Sequence, residues 1–329
     1  MAITIGPGWS IGPGWSITDA PAPPAALSYK AIFGYGITFG AVSMTNLVSD
    51  TGVVATDTTG VGTARSSLAA AGYGTDKAIF GYGVTTNTAS GVATTNLVSN
   101  TGVVGNDVTG VGTARSSLAA AGYGTDKAIF GYGTNTSSTI VSMTNLVSNA
   151  GVVATDTTGV GTARQALAAA GYGTDKAIFG YGTTGAQTYT AITNLVSNTG
   201  VVATDTTGVG TARQYLAAAG YGTDKAILGY GLSNSGAPNF TNTSYSLTNL
   251  VSNTGVVATD TTGVGTARSY LAAAGYGTDK AIFGYGSTNG GATGASMTNL
   301  VSNTGVVATD TTGVGTARRS LAAASYGGV

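Results

Sequence analysis

The chain of 329 residues has no histidine, no cysteine and no glutamate; all 13 acidic residues are aspartate. That removes the commonest general base, the thiolate and imidazole ligands of zinc, and every thiol nucleophile. Ser-His-Asp triads, cysteine catalysis and zinc chemistry are therefore excluded. Without cysteine there is no disulfide framework, so the redox compartment is left open. No apolar run reaches about 18 residues, so no membrane-spanning helix is expected. Residues 1–20 lack the basic start and apolar stretch of a secretory signal. Net charge is zero, with 13 basic residues against 13 acidic, and no basic stripe that would suit nucleic acid.

What is abundant is glycine, 54 residues, with alanine, threonine, valine and serine around it. This composition favours strands and turns over helices. It is organised by repetition. Lys-Ala-Ile-Phe-Gly-Tyr-Gly starts at Lys30, Lys77, Lys127, Lys176 and Lys280, and at Lys225 with Leu228 in place of Phe. Successive starts lie 47, 50, 49, 49 and 55 residues apart. Thr-Ala-Arg-x-x-Leu-Ala-Ala-Ala recurs at Arg65, Arg115, Arg164, Arg213, Arg268 and Arg318, and Thr-Asn-Leu-Val-Ser at Asn46, Asn96, Asn145, Asn194, Asn249 and Asn299. A period near 50 residues points to a propeller or a solenoid.

Each unit parses into four short strands, here 66–72, 77–82, 94–99 and 103–107, the first two joined by the turn Gly74-Thr75-Asp76. Leu-Ala-Ala-Ala has good helix propensity, but four residues hemmed by glycine are too few to hold a helix. The first unit begins at its second strand and the last ends on a first strand, so the two fragments complete one another and remove the free sheet edges. The expected fold is all-β, a six-bladed β-propeller of four-stranded blades, closed by the C-terminal strand pairing with the N-terminal hairpin and spanning residues 29–329. The small Ala-rich strand is expected innermost.

Thr113-Ala114-Arg115-Ser116-Ser117-Leu118-Ala119-Ala120-Ala121 followed by Lys127-Ala128-Ile129-Phe130-Gly131 resembles a kelch repeat. The glycine doublet of kelch is here Gly131-Tyr132-Gly133, and the later Tyr…Trp pair is missing. The resemblance covers Tyr29 to Gly328, and similar repeats occur in phage proteins. It implies the propeller fold and carries no function with it.

Residues 1–19 differ in kind. Ile5-Gly6-Pro7-Gly8-Trp9-Ser10 repeats as Ile11-Gly12-Pro13-Gly14-Trp15-Ser16, and the pair resembles the Gly-Pro-rich hexapeptide runs at the N-termini of some phage structural proteins. Ala/Pro-rich residues 20–28 space it from the repeats. Trp9, Trp15, Ile5 and Ile11 are expected to act as an assembly anchor on other virion proteins or on copies of this chain; the plainer reading is a loose tail.

Nearly every charge sits at a repeat position. The arginines could line one mouth of an axial channel as an anion site. The favoured reading pairs Arg65, Arg115, Arg164, Arg213, Arg268 and Arg318 with Asp57, Asp107, Asp156, Asp205, Asp260 and Asp310 as ties between blades, because unpaired buried charge is costly. The Asp spacing of calcium loops is absent, so no metal and no cofactor is expected. Two Tyr per unit, such as Tyr123 and Tyr132, are expected to pack.

What varies is the loop after Gly-Tyr-Gly: residues 37–43, 84–93, 134–142, 183–191, 232–246 and 287–296. All join the same two strands, so all should lie on one face, which repeat proteins often use for binding. Phe240, Tyr245, Asn239, Asn242 and Tyr189 are the candidate contact residues there, suited to polar surfaces or cell-surface glycan. A catalytic centre would break the repeat, and the candidate aspartates do not. The expectation is a non-enzymatic structural or adhesion protein on a virion surface or outside the cell, an appendage or fibre component. A multivalent lectin-like module and a self-assembling extracellular fibre are the alternatives.

Overall fold

The structure is a computed structural model that describes residues 29–85, 91–234 and 241–327, and every regular element in them is a β-strand. Short Ala-Ala-Ala-Gly-Tyr and Lys-Ala-Ile-Phe-Gly segments, each bounded by glycine turns, pair as hairpins, and Thr-Asn-Leu-Val adds on the far side. The result is a set of six three-stranded antiparallel sheets among the described residues. One comprises Ala69–Tyr73, Lys77–Gly81 and Thr95–Val98; the next Ala119–Tyr123, Lys127–Gly131 and Thr144–Val147; then Ala168–Tyr172, Lys176–Gly180 and Thr193–Val196. The fourth comprises Ala217–Tyr221, Lys225–Gly229 and Thr248–Val251, and the fifth Ala272–Tyr276, Lys280–Gly284 and Thr298–Val301. The sixth draws on the first and last described strands. Ala322–Gly327 pairs with Tyr29–Gly34 from Ala322↔Gly34 to Gly327↔Tyr29, and Tyr29–Gly34 pairs onward with Thr45–Val48.

The four-stranded unit is only partly realised. The segment after each Thr-Asn-Leu-Val strand touches it at two isolated bridges, Val48↔Val54 and Thr45↔Thr58 in the first unit, and forms no regular strand. A side chain competes for its backbone: the Asn46 amide donates to the Ala55 carbonyl at 3.0 Å and to Asp57 at 2.9 Å. The same pair of bonds recurs at Asn96, Asn145, Asn194, Asn249 and Asn299.

The core lies between neighbouring sheets. Successive residues of a strand point to opposite faces, and both faces of the middle strands are covered, so Ala31, Ile32 and Phe33 are all fully buried. Ile32 packs with Ala78, Phe80 and Val98 of the following sheet, while Ala31 and Phe33 pack with Ile282 and Tyr285 of the preceding one. The Ala-rich strands lie side by side: Ala69–Tyr73 against Ala119–Tyr123, then Ala168–Tyr172, Ala217–Tyr221 and Ala272–Tyr276, with Ala322–Gly327 against both Ala272–Tyr276 and Ala69–Tyr73. Their glycines permit the approach. A Cβ on Gly122 would lie 3.3 Å from the Gly72 carbonyl oxygen, and one on Gly171 3.3 Å from that of Gly122. Ser325 stands at this position in the last copy, and its hydroxyl donates to the Gly275 carbonyl at 2.7 Å.

Candidate functional site

Two ends of the structure contrast. At one, the turns after the Ala-rich strands meet. The backbone N–H of Gly74 donates to Asp126 O, Gly124 to Asp175 O, Gly173 to Asp224 O, Gly222 to Asp279 O, Gly277 to Tyr29 O and Gly327 to Asp76 O, all within 2.7–2.8 Å. A cavity of about 300 Å3 opens there, walled by repeated Gly, Tyr, Thr and Lys positions such as Gly122, Tyr123, Thr125 and Lys127. Lys77, Lys127, Lys176, Lys225 and Lys280 each pair with the preceding aspartate at 2.7–3.1 Å. These are solvent-screened pairs worth little stability.

The buried arginines line neither cavity. Arg65 is fully buried; its Nη2 donates to Asn96 Oδ1 at 2.5 Å and its Nη1 lies 3.6 Å from Asp107. The same ion pair joins Arg115 to Asp156, Arg164 to Asp205, Arg213 to Asp260, Arg268 to Asp310 and Arg318 to Asp57, at 3.3–3.8 Å. One detail differs from the expected tie between blades. Arg65 precedes the first strand of the sheet that Asn96 and Asp107 end, so each ion pair spans a single sheet from its inner to its outer segment. Neighbouring sheets are joined by two other contacts. The Arg65 guanidinium lies over the ring of Tyr35 in the preceding sheet, 4.9 Å from its centroid. Asp107 also accepts from the N–H and hydroxyl of Thr63, on the segment that crosses from that sheet.

These contacts tune the charges. Burial alone would raise the Asp107 carboxyl, but bonds from Thr63 and Asn96 and the nearby Arg65 hold it below the ordinary value. Asp57, Asp156, Asp205, Asp260 and Asp310 behave alike. Burial pushes the Tyr35, Tyr82, Tyr132, Tyr230 and Tyr285 hydroxyls up to about 12. Among the described residues no three of His, Cys, Asp and Glu come together as a metal site.

The opposite end carries the variable loops. Residues just before each Ala-rich strand meet there and are linked by a cycle of backbone bonds: Ser67 N–H to Ser320 O, Ser117 to Ser67, Ala166 to Ser117, Tyr215 to Ala166, Tyr270 to Tyr215 and Ser320 to Tyr270, at 2.8–2.9 Å. All six residues have φ between 52° and 57°. They and the following leucines line a cavity of about 100 Å3. This is where the repeat breaks. The two x positions of Thr-Ala-Arg-x-x-Leu read Ser66-Ser67, Ser116-Ser117, Gln165-Ala166, Gln214-Tyr215, Ser269-Tyr270 and Arg319-Ser320. Tyr215 and Tyr270 stack at 3.7 Å between centroids with their planes 23° apart. Burial raises the Tyr270 hydroxyl, with Tyr215 adding to the rise, and Arg319 and Tyr189 are close enough to act on it.

Of the residues picked from the loops, Tyr189 is half-buried beside this cluster, and burial, with Tyr215, raises its hydroxyl. Half-buried Tyr245 shares a hydrogen bond of 2.8 Å with the Ser233 hydroxyl. Asn242 is exposed on the hairpin Leu232–Asn234/Asn242–Ser244, and its side chain meets the neighbouring loop at Gly290. Asn239, Phe240, Trp9, Trp15, Ile5 and Ile11 lie outside the described residues. Reading the loops alone missed Tyr215, Tyr270 and Arg319, which belong to the framework phrase. It also missed Phe39, fully exposed in the shortest loop. The signal for the first three was in the sequence: the only non-identical pair inside an otherwise constant phrase.

No family model matches the chain and no curated protein is similar to it. A solved structure described as "Structure of YjhT" is similar in fold, with a TM-score of 0.61 at 10% identity, covering 88% of this chain and 98% of that one.

Proposed function

We propose that residues 29–327 close into a six-bladed β-propeller that serves as a non-enzymatic recognition scaffold, displaying its variable loops outward in a structural or adhesive role. The observation that carries this reading is the contrast between the ends. The turn end repeats Gly-Tyr-Gly-Thr-Asp-Lys almost without change, whereas loop length and the x-x pair vary at the other. A scaffold that selects for loops at one end needs nothing but constancy elsewhere. Closure is supported by the pairing of Ala322–Gly327 with Tyr29–Gly34 and by the backbone cycle through Ser67 and Ser320. Each blade is then completed by the two-bridge fourth segment. The absence of enzyme chemistry is supported by how the repeat carboxylates are used, each taken up by an Arg, Thr and Asn or by a Lys.

In this reading residues 1–19 anchor the scaffold to a virion or to further copies, and residues 20–28 are the spacer. Tyr29, where the described chain begins, lies at the turn end. Cryo-electron microscopy of native material tests this. Six-bladed discs joined through residues 1–19 to a particle or to each other, loops outward, are the expected result. Discs that remain single, with or without those residues, would overturn the anchoring role.

A further inference from the structure

We infer that the loop end binds an acidic saccharide, held against the Tyr215–Tyr270 stack with its anionic group on Arg319. The inference rests on the recognition reading above and names what is recognised.

The first support is the broken symmetry. Six equivalent positions surround the mouth of the loop-end cavity, and the backbone cycle holds all of them in the left-handed region. Serine or alanine fills four. Tyrosine fills two adjacent ones. In the cycle the two tyrosines stand opposite Ser67 and Ser117, and all four residues line the cavity.

The second support is charge. The variable loops contain no charged residue, and Arg319 is the one basic residue of the chain outside the repeat positions. The ion pairs of the described residues do not include it. Its flat guanidinium suits a carboxylate or sulfate, which it can grip with two parallel bonds.

The third is the character of the surroundings. Gln165, Gln214 and the Ser, Thr and Asn residues of the described parts of the loops offer hydroxyls and amides that match sugar hydroxyls. The cavity, about 100 Å3, is well under the roughly 300 Å3 at which small-molecule pockets begin. A ligand is therefore held by one edge, as the terminal unit of a glycan chain would be, and not swallowed. An aliphatic peptide anchor has no pocket to enter.

The test uses the full chain on an array of carboxylated and sulfated oligosaccharides with their neutral counterparts. Binding of acidic members at least about tenfold tighter than neutral ones is expected. Tyr215→Ser with Tyr270→Ser, which installs the residue already present at Ser67 and Ser117, should abolish it without lowering the thermal midpoint. Arg319→Gln should remove the preference for acid while neutral binding persists. Equal binding by the double serine variant, or capture of acidic peptides in place of saccharides, would overturn the inference. If no saccharide binds but the protein still adheres to cells through its loops, the inference fails and the recognition reading stands.

Discussion

At the residue scale, single atoms decide which glycines can change. The glycine that ends each middle strand faces the aromatic ring of the next sheet. A Cβ on Gly131 would lie 2.8 Å from Phe179 Cζ, and one on Gly81 2.8 Å from Phe130 Cζ. Gly180 is the exception. Leu228 replaces the phenylalanine there, and its nearest atom stands 3.5 Å away. Gly131→Ala should therefore cost about 1–3 kcal/mol through overpacking, and Gly180→Ala less, its tightest contact being Thr193 Cγ2 at 3.2 Å. Paired thermal melts of the two variants measure the difference, and equal losses would refute the packing account. Leu228→Phe in the Gly180→Ala background should restore the penalty.

At the scale of the element, the strand Ala322–Gly327 has an unusual share of the work. It pairs with Tyr29–Gly34 along its whole length, and it packs against the first strands of the sheets on both sides. The preceding residues add the Arg318–Asp57 pair and the Ser67–Ser320 bond. A chain ending at Ala317 would uncover Ile32 and Phe33, now fully buried, and leave a strand edge open to self-pairing. We expect it to melt well below the intact chain and to aggregate. A melting temperature unchanged by that truncation would refute closure.

For the whole molecule, the missing residue types set the response to pH. The folded state lowers the pKa of six paired aspartates. Their contribution is present above the unfolded value of about 4 and is lost as pH falls through the folded value. The buried tyrosines are raised to about 12. Their contribution is present below the unfolded value of about 10 and is lost as pH climbs towards 12. With no histidine, cysteine or glutamate, no side chain titrates in between. The thermal midpoint should be flat from about pH 5 to pH 9 and fall on both sides. A slope across neutral pH would show that a group outside this network matters.

The repeat phrases alone determined the period, the strand pairs, the glycine turns and the sheet shared by the two ends of the described chain, because each depends on neighbours in sequence or on matching fragments. They also marked the arginines and aspartates as mutual partners. Only the tertiary structure decided that each ion pair spans one sheet, since the partner of Arg65 lies 42 residues further on at Asp107 and the crossing point of the chain is invisible in composition. The same holds for the fourth strand. Its length and bounding turns read as a strand, but an asparagine side chain from the neighbouring strand takes its carbonyl. The Tyr215–Tyr270 stack was hidden for a related reason: those residues sit 55 apart in sequence and meet only because six equivalent segments converge at one end.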